Sequence, residues 1–443
     1  MAVARTPQRL AAGLTNWHPG PKREESEARH VKILWLSHFL PYPPRGGALQ
    51  RSYYLLRQAA LTHEVHLVAV NNRAQLSTPA EVAEAVSTLS RVCARVDVFP
   101  NTFDHSRFRW GLMAAAGFWR STPYDVNWLR HPAMRGYLGR MVTTADFDVV
   151  HVDTLGLMPY ANVLPALPIV LNHHNIESHM MRRRAAQESQ WLRRIYFRRD
   201  AQKLERCERT ACRRAAVNVV VSALDAERLR TVVGDGEVAV VQNGVDLEYF
   251  QPTSPGGQEP EGLIFVGTMN WYPNREAIRY FLREIWPLLL ADNPRRRLSV
   301  IGRDPPREVL AAARDGAVQV PGYVEDVRPY LAAAAIYVCP IRDGGGTRLK
   351  VLDALAMAKP LVATGLAVEG LDLVEEEHYL RAETPVDTVR QIRRLERDPD
   401  LSRRLAWSGR RLVEQRYSWE VIGARLNQAY QLAKTGARLQ PHA

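Results

Sequence analysis

A glycine triplet followed by two basic residues and a carboxylate is the clearest chemical feature of the sequence. In chain order it consists of Gly344, Gly345, Gly346, Thr347, Arg348, Lys350 and Asp353. A glycine backbone lets an anion approach closely, and the free N–H groups at the start of a helix point at it. Arginine and lysine strengthen such a site, above all for a diphosphate that gains charge as it leaves. We therefore predict a diphosphate site here, with Asp353 accepting hydrogen bonds from a ribose; a flexible loop before a capped helix is the structural alternative.

Histidine and glycine pairs follow predicted strands in the N-terminal half. His173 and His174 come after one short apolar run, and Gly46 and Gly47 come after another. Ligands of a parallel α/β sheet bind beyond the carboxyl ends of its strands. We therefore expect His174, or His173 in its place, to project into a cleft, although a histidine bonded only to backbone also fits. The glycine pair either allows close approach of a ligand or forms a plain turn.

Four further residues are weaker candidates for contact with a ligand. Glu177 follows the histidines and is placed to orient a ring or to cap the next helix. Asn243 belongs to an Asn-Gly pair that fits a turn between domains. Glu369 follows a predicted strand on the cleft side, and Arg275 adds a positive charge early in the second half.

Predicted strands and helices alternate along the chain, and the pattern restarts after a Pro- and Gly-rich stretch at 251–262. Such alternation is typical of parallel sheets covered by helices on both faces. We predict an α/β fold with two Rossmann-like, doubly wound domains facing a central cleft. The predicted bounds are 30–245 and 246–415, with a disordered leader at 1–29, a final helix at 416–436 and a tail at 437–443.

The composition limits the classes of partner. A formal net charge of +12 favours anionic partners such as nucleotide phosphates. The sequence has no apolar run long enough to cross a bilayer, no recognisable nucleic-acid-binding module, and neither a DxD motif after a strand nor an HExxH motif for a metal. Its four cysteines form no CxxC pair. We expect a cytoplasmic protein that needs no metal or cofactor and does not bind nucleic acid.

Residues 178–215 stand out by their charge. The stretch 181–214 holds 12 Arg or Lys residues against 4 Asp or Glu residues, and it includes Trp191 and Ile195. Because nothing in it clearly breaks a helix, we predict one long helix. Its basic face is either simply solvated or docks on anionic lipid or a polyanionic acceptor. The second interpretation would place the protein on the inner face of a membrane.

Several short motifs resemble those of the retaining GT-B glycosyltransferases known as family 4. They are PPRGG at 43–47, HHNIE at 173–177, QNGVD at 242–246, GLIFVGTMNWYPN at 262–274, PGYVEDVRPY at 321–330 and the glycine-rich segment at 339–364. The HHNIE motif is similar to the HNxE motif of one sugar-transferase branch, which is often linked to exopolysaccharide synthesis. The likeness covers roughly residues 31–432, and the order and spacing of the motifs support it.

The resemblance implies a hexosyltransferase that acts in cell-surface polysaccharide synthesis. It implies transfer from a UDP-, GDP- or other nucleotide-diphosphate sugar to a glycan or lipid-linked acceptor, with retention of configuration and without a metal. The second domain would bind the donor, the first would meet the acceptor, and the last helix would cross back onto the first domain. A family histidine near the transferred sugar makes His174 a catalytic candidate, together with Arg348 and Lys350.

The chain departs from the family pattern in two places. The family signature has two glutamates separated by seven residues, which correspond here to Gly345 and Asp353. The carboxylate on the ribose side is thus kept, as Asp353, whereas the carboxylate on the side of the transferred sugar is absent, at Gly345. The family's basic pair is also absent, since its positions fall at Thr268 and near Asn274. The candidates to replace its charges are Arg348 and Lys350, with Arg275 as the weaker one.

The sequence leaves other functions open. A nucleotide-sugar 2-epimerase or a glycogen-synthase-like polymerase would share the fold, but the several carboxylates of an epimerase cannot be placed. The absence of a carboxylate at Gly345 motivates a second alternative, a non-catalytic scaffold in a polysaccharide-assembly complex. No well-matched carboxylate nucleophile is evident. For an enzyme we therefore expect direct front-face attack without a covalent sugar–enzyme intermediate.

Overall fold

The structure is a computed structural model that describes residues 31–72, 75–101, 121–164, 167–234, 236–253 and 260–436. The predicted leader at 1–29, the predicted tail at 437–443 and residues 254–259 of the Pro- and Gly-rich stretch lie outside the described residues. Within the described ranges, no helix is long and apolar enough to cross a membrane.

Short aliphatic runs form the seven strands of the first sheet. The central strands are buried on both faces, as a sheet between two layers of helices requires. The strands are β1 (Lys32–Ser37), β2 (Glu64–Asn71), β3 (Arg95–Pro100), β4 (Val149–Val152), β5 (Ile169–Asn172), β6 (Val217–Val220) and β7 (Val238–Val240). They pair in parallel in the order β3-β2-β1-β4-β5-β6-β7.

Helices connect these strands, and local sequence fixes several of their ends. At the start of the second helix, Thr78 accepts a hydrogen bond from the Glu81 N–H, and Glu81 reaches back to the Thr78 N–H. This capping box satisfies backbone donors that a helix start leaves open. The helices are α1 (Gly47–Ala60), α2 (Pro79–Leu89), α3 (Tyr124–Trp128), α4 (Pro132–Thr144), α5 (Glu177–Gln187), α6 (Trp191–Arg214) and α7 (Ala223–Val233).

The C-terminal half repeats the same construction with six parallel strands. They are β8 (Leu263–Val266), β9 (Leu298–Ile301), β10 (Val318–Gly322), β11 (Ile336–Cys339), β12 (Leu361–Ala363) and β13 (Leu380–Arg381). Their order is β10-β9-β8-β11-β12-β13. The helices of this half are α8 (Tyr272–Tyr280), α9 (Trp286–Asp292), α10 (Arg307–Ala312), α11 (Arg328–Ala333), α12 (Leu349–Ala356), α13 (Pro385–Arg397) and α14 (Pro399–Arg416).

Both strand orders are those of doubly wound sheets. In each sheet the chain runs outward from the first strand to one edge and then returns to the other side of that strand. The reversal between β1 and β4, and between β8 and β11, opens a crevice at the carboxyl ends of the strands, where ligands of such folds bind. The predicted fold of two Rossmann-like domains is therefore confirmed.

The prediction of one long helix over 178–215 is wrong. The basic segment is two helices, α5 and α6, which pack against each other and are separated at residues 188–190. The Arg194 guanidinium donates two hydrogen bonds, of 2.9 and 2.7 Å, to the Glu188 carbonyl oxygen at the end of α5. This side chain satisfies a carbonyl that would otherwise bond within the helix, and so it stabilises the break.

The helical stretch that follows β8 is interrupted. One turn of π-helix, Phe281–Ile285, lies between α8 and α9. Pro287 stands in the first turn of α9 and has no N–H to continue the α-helical ladder. The change of register at this point follows from that missing donor.

The last helix, α15 (Trp419–Thr435), packs on the N-terminal half. It lies along α1 and contacts β4, β5 and β6. Trp419 stacks on Tyr54 with ring centroids 4.9 Å apart, and the Tyr430 hydroxyl lies 2.9 Å from His151 Nδ1. Gly244 allows this approach, because a Cβ there would lie 2.7 Å from the Trp419 ring.

Candidate active site

The glycine-rich loop between β11 and α12 lies against the N-terminal half. Gly344 and Gly346 have φ angles of +104° and +70°, which residues with a side chain rarely adopt. A Cβ at Gly346 would lie 2.5 Å from Asn175 Oδ1 and 3.2 Å from the His174 carbonyl oxygen. The predicted anion loop therefore meets the residues that follow β5, across the cleft.

The Arg348 side chain stabilises the conformation of this loop through hydrogen bonds. Its guanidinium Nη1 donates to the carbonyl oxygens of Gly345 and Gly346, so these oxygens are held by the side chain that follows them. Among the described residues, the Gly345, Gly346 and Thr347 N–H groups donate no hydrogen bond. The loop thus has open backbone donors, as an anion site requires. Arg348 Nη2 is buried without a partner within the described ranges.

Helix α12 begins at Leu349, and Arg348 occupies the capping position without a side-chain cap. Thr347 does not cap the helix. Its hydroxyl instead accepts a hydrogen bond of 2.6 Å from Asn243 Nδ2. The Asn243 side chain, a weaker ligand candidate that also fits a turn between domains, therefore connects the end of the first half to the glycine-rich loop.

Lys350 extends toward the end of β8. Its ammonium lies 2.5 Å from Asn274 Oδ1 and 5.1 Å from the centroid of the Phe265 ring. A Cβ at Gly267 would lie 2.5 Å from the same ammonium. The charge of Lys350 thus lies beside the uncharged Asn274, where the family pattern carries a basic residue. Burial lowers the pKa of Lys350 to about 8.

Asp353 lies one turn further along α12 and is half-buried. Burial raises the pKa of its carboxyl to about 8, the charge of Lys350 opposes that rise, and the charge of Asp246 adds to it. Near neutral pH the carboxyl is therefore largely protonated in the free protein. In that form it can donate a hydrogen bond as well as accept one.

The pKa of Lys350 leads to a prediction on pH. A lysine is charged below its pKa, so the affinity for UDP is expected to fall as the pH rises above 8, by up to about tenfold per pH unit. Titration calorimetry from pH 7 to pH 9.5 would measure this slope. Lys350→Arg should remove it, because arginine stays charged. If the pH dependence of UDP affinity persists in Lys350→Arg and disappears in Asp353→Asn, the titrating group is Asp353 instead.

A second prediction concerns Gly346. An alanine there must adopt a left-handed conformation, which costs about 1–2 kcal/mol, and its Cβ would collide with Asn175. Gly346→Ala is therefore expected to weaken UDP binding by about tenfold or more. Gly316→Ala is the matched control, because Gly316 has a φ of +73° with open space around its Cβ. Equal UDP affinities for both variants would contradict the assigned loop.

The two predicted histidines point in different directions. His173 is buried, and its Nε2 lies 3.3 Å from Asn218 Oδ1 and 3.6 Å from Cys212 Sγ. Burial lowers the pKa of His173 to about 4. His174 is partly exposed, and its Nε2 lies 3.3 Å from Asp153 Oδ1. Of the pair, only His174 is in a position to meet a ligand in the cleft.

A buried cluster around Asp153 escaped the sequence analysis. The carboxylate of Asp153 accepts hydrogen bonds from Ser37 (3.3 Å), Ser52 (2.6 Å) and Asn172 (2.9 Å). Burial favours its neutral form, but interactions with the histidines around it outweigh burial and hold the pKa of Asp153 well below its usual range. The imidazoles that lie within 3.9 Å of it belong to His38, His151 and His174.

Arg51 places a buried positive charge next to this cluster. Its guanidinium donates to the Gln242 carbonyl oxygen (3.0 Å), Asn243 Oδ1 (3.1 Å) and Asn172 Oδ1 (2.9 Å). Burial lowers its pKa to about 10, which leaves it charged at neutral pH. A signal for the cluster was present in the sequence, because Asp153 and Asn172 are polar residues at the ends of otherwise apolar strands.

The other predicted residues lie at different distances from the loop. Gly47 is close, since a Cβ there would lie 3.4 Å from Leu349 Cδ1, whereas a Cβ at Gly46 would meet nothing within 4 Å. Arg275 pairs with Glu276 on an exposed stretch of α8, and its described contacts include none with the loop. Glu177 begins α5 without capping it, and burial raises the pKa of its carboxyl to about 8.

Glu369 joins the two halves of the molecule through ion pairs. Its carboxylate contacts Arg183 of α5 at 3.1 Å and also contacts Arg228 of α7. Arg183 additionally donates a 2.7 Å hydrogen bond to the Gly344 carbonyl oxygen. Glu369, a weaker candidate for contact with a ligand, is therefore engaged by two arginines across the cleft, one of which also holds the glycine-rich loop.

Two doubly wound domains that enclose such a cleft define the GT-B class of glycosyltransferases. Comparison with protein-family models gives two matches. Residues 45–249 match Glycosyltransferase Family 4, and residues 260–398 match Glycosyl transferases group 1. The chain therefore contains a glycosyltransferase family 4 domain followed by a glycosyl transferases group 1 domain.

Solved structures share this architecture over nearly their whole length. Sucrose-phosphate synthase from Thermosynechococcus elongatus is 17% identical, with a TM-score of 0.66, over 92% of this chain and 100% of that one. HepE from Anabaena, in complex with UDP, is 15% identical, with a TM-score of 0.62, over 90% and 99%. TarM from S. aureus, crystallised as a variant with UDP, is 10% identical, with a TM-score of 0.63, over 90% and 99%. Comparison with curated proteins gave no match.

Proposed function

We propose that this protein is a retaining glycosyltransferase of the exopolysaccharide-linked branch. It transfers a hexose from a nucleotide-diphosphate sugar to a glycan or lipid-linked acceptor in cell-surface polysaccharide synthesis. The observation that carries the proposal is the meeting of the glycine-rich loop with His174, where a Cβ at Gly346 would lie 3.2 Å from the His174 carbonyl oxygen. The predicted anion site of one domain and the predicted sugar-binding histidine of the other thus adjoin one point of the cleft.

The donor diphosphate, in this proposal, binds the open N–H groups of residues 345–347. The Lys350 ammonium adds the charge that stabilises the nucleotide as it departs, and Asp353 hydrogen-bonds the ribose. Arg348 keeps the loop in shape and offers its unpartnered Nη2 to the diphosphate. A uridine nucleotide is the first candidate, because the HepE and TarM crystals contain UDP and HepE was also crystallised with UDP-glucose.

Asn175 is the proposed substitute for the absent sugar-side carboxylate. A Cβ at Gly345 would lie 3.3 Å from Asn175 Oδ1 and 3.4 Å from Met180 Cγ, so the space beside Gly345 is already filled from the other domain. The amide of Asn175 can both donate and accept a hydrogen bond. Together, Asn175 and His174 would hold hydroxyl groups of the transferred sugar.

Retention follows from front-face attack. Asp153, the carboxylate beside His174, is fully buried and accepts three hydrogen bonds, so it is not placed to attack the sugar. The acceptor hydroxyl instead attacks the anomeric carbon from the side of the departing diphosphate. The bond from that carbon to the phosphate oxygen breaks as the new glycosidic bond forms, and the hydroxyl proton passes to the departing phosphate oxygen.

A donor screen tests this proposal. The purified protein would be incubated with UDP-, GDP- and ADP-sugars, with and without lipid-linked acceptors, while nucleotide release is measured. We expect release with at least one donor, and proton NMR of the product should show the anomeric configuration of that donor. An inverted product would refute retention. Nucleotide binding without release from any donor would favour the scaffold function that the absence of a carboxylate at Gly345 suggested.

The start of α6 supports a second part of the proposal, a peripheral position on the cytoplasmic face of a membrane. Trp191, Leu192 and Ile195 are exposed there by 67%, 64% and 40%. The exposed residues that accompany them are Arg193, Arg198 and Arg199. Apolar side chains with adjacent arginines are typical of helices that bind anionic lipid. Such a position would bring the cleft to a lipid-linked acceptor.

Substitution of two of these apolar residues tests membrane binding. Trp191→Ser combined with Ile195→Ser is expected to lower partition onto vesicles with 30% phosphatidylglycerol by tenfold or more, because each buried apolar side chain contributes about 1.5–3 kcal/mol. Sedimentation with vesicles would measure it. Trp407→Ser is the control, since Trp407 is 51% exposed on α14. Equal partition of both variants would rule out this surface.

A further inference from the structure

Three potential metal ligands converge at the carboxyl edge of the first sheet. His38 follows β1, Asp153 follows β4 and His174 follows β5. His38 Nδ1 lies 3.7 Å from Asp153 Oδ2, and His174 Nε2 lies 3.3 Å from Asp153 Oδ1. One ligand atom from each residue lies within 4.8 Å of the other two. The carboxyl ends of β1, β4 and β5 therefore bring two imidazoles and a carboxylate close together.

These separations do not form ordinary hydrogen bonds. His38 Nδ1 and His174 Nε2 are both buried atoms without a hydrogen-bond partner among the described residues. Two atoms bound to one tetrahedral zinc ion at about 2.0–2.2 Å lie about 3.3–3.5 Å apart. His174 Nε2 lies at such a distance from Asp153 Oδ1 (3.3 Å), and His38 Nδ1 lies slightly further, at 3.7 Å, from the other carboxylate oxygen, Oδ2.

The surroundings of Asp153 are those of a supported metal ligand. Its carboxylate is fixed by hydrogen bonds from Ser37, Ser52 and Asn172, which leave it room for a further bond. Partners of this kind orient a ligand and raise its affinity for a metal ion. The positive charge of Arg51 opposes a cation, but three hydrogen bonds direct its guanidinium to Asn172, Asn243 and Gln242.

We propose that His38, Asp153 and His174 form a binding site for one divalent transition-metal ion, of which zinc is the best fit. Two imidazoles and one carboxylate suit zinc, cobalt and nickel, and the set contains no thiolate. Asp153 has no exposed side-chain surface, whereas those of His38 and His174 are 20% and 12% exposed. The carboxylate is therefore the fully enclosed part of the site, and the two imidazoles are its less enclosed part.

A bound ion would act as a reversible inhibitor. It would coordinate His174 Nε2 and hold the ring beside Asp153. That nitrogen could then not bind a sugar in the cleft. This consequence rests on the proposed sugar transfer, whereas the metal site itself does not. Metal binding is therefore measured directly, so that failure of the site and failure of the proposed function give different results.

The same half contains another pair that could attract a metal ion. Cys212 Sγ lies 3.6 Å from His173 Nε2, on the opposite side of the histidine pair. A thiolate ligand gives cobalt an intense near-ultraviolet charge-transfer band, whereas nitrogen and oxygen ligands give only weak visible bands. Cobalt therefore distinguishes the two locations in one spectrum.

The test is a Co²⁺ titration of the full chain, followed by Zn²⁺ competition. We expect one equivalent of Co²⁺ with visible bands and without a thiolate band, displaced by one equivalent of Zn²⁺. His38→Ala, Asp153→Asn and His174→Ala should each lower the affinity by at least tenfold. His66→Ala is the matched control, because His66 forms an exposed pair with Glu64 at 2.8 Å and should bind Co²⁺ like the wild type.

Circular dichroism and UDP binding would verify that each variant is folded. Absence of stoichiometric Co²⁺ binding would overturn the proposal. So would binding that the folded His38→Ala and His174→Ala variants retain, or a spectrum with a thiolate band. With the site established, added Zn²⁺ should reduce nucleotide release by the wild type in proportion to its occupancy, and a fully occupied protein that keeps its rate would refute the inhibitory role.

Discussion

Lys350→Met is expected to weaken binding of UDP by about tenfold to a hundredfold. The ammonium of Lys350 is held at the end of β8 by Asn274 and lies over the Phe265 ring, in the position where the proposed diphosphate needs a cation. A hydrogen bond to a charged group contributes about 1.5–3 kcal/mol, which corresponds to this loss of affinity. Methionine keeps most of the volume of the lysine stem while it removes the charge.

Titration calorimetry with UDP would measure this effect. Arg275→Met is the matched control, because Arg275 lies on neighbouring α8 and pairs only with Glu276 among the described residues. Its affinity for UDP should remain within about twofold of the wild type. If Lys350→Met bound UDP as tightly as the wild type, the cation at the diphosphate would have to come from another residue.

Arg51→Met is expected to have the largest effect on stability. It removes a buried cation that bonds Asn172, Asn243 and Gln242, and it removes a positive charge that interacts with the buried Asp153. Breaking a buried charge network in this way costs about 3–5 kcal/mol. For a domain of this size, the midpoint of thermal unfolding should fall by roughly 10 °C.

Differential scanning calorimetry would measure this shift. Arg57→Met is the control on the same helix, because Arg57 is partly exposed in the last turn of α1. Its midpoint should stay within about 2 °C of the wild type. A comparable shift for both variants would show that the buried hydrogen bonds of Arg51 stabilise the fold no more than a partly exposed arginine of the same helix does.

The fold was predictable because its signals are local. Buried parallel strands need continuous apolar runs, and such runs mark β1, β4, β5, β8 and β11 without ambiguity. The break between α5 and α6 was not predictable from propensity. It depends on the Arg194 side chain, which folds back onto the Glu188 carbonyl oxygen.

The candidate site was predictable only in part. The glycines of the loop could be identified from their spacing. Arg348 was expected at the phosphate, but its bonds to the loop carbonyl oxygens were not predicted. Which of His173 and His174 faces the cleft depends on the end of β5, and adjacent residues there point to opposite sides. The Asp153 cluster was missed because its members come from separate strands and a helix, and only the folded sheet brings them together.

Crystallisation of the protein with UDP is the most direct test of the central claim, that the loop between β11 and α12 holds the donor diphosphate. The β-phosphate is expected within hydrogen-bond distance of the N–H groups of residues 345–347 and of Lys350 Nζ, with the ribose beside Asp353. UDP bound elsewhere would contradict that claim.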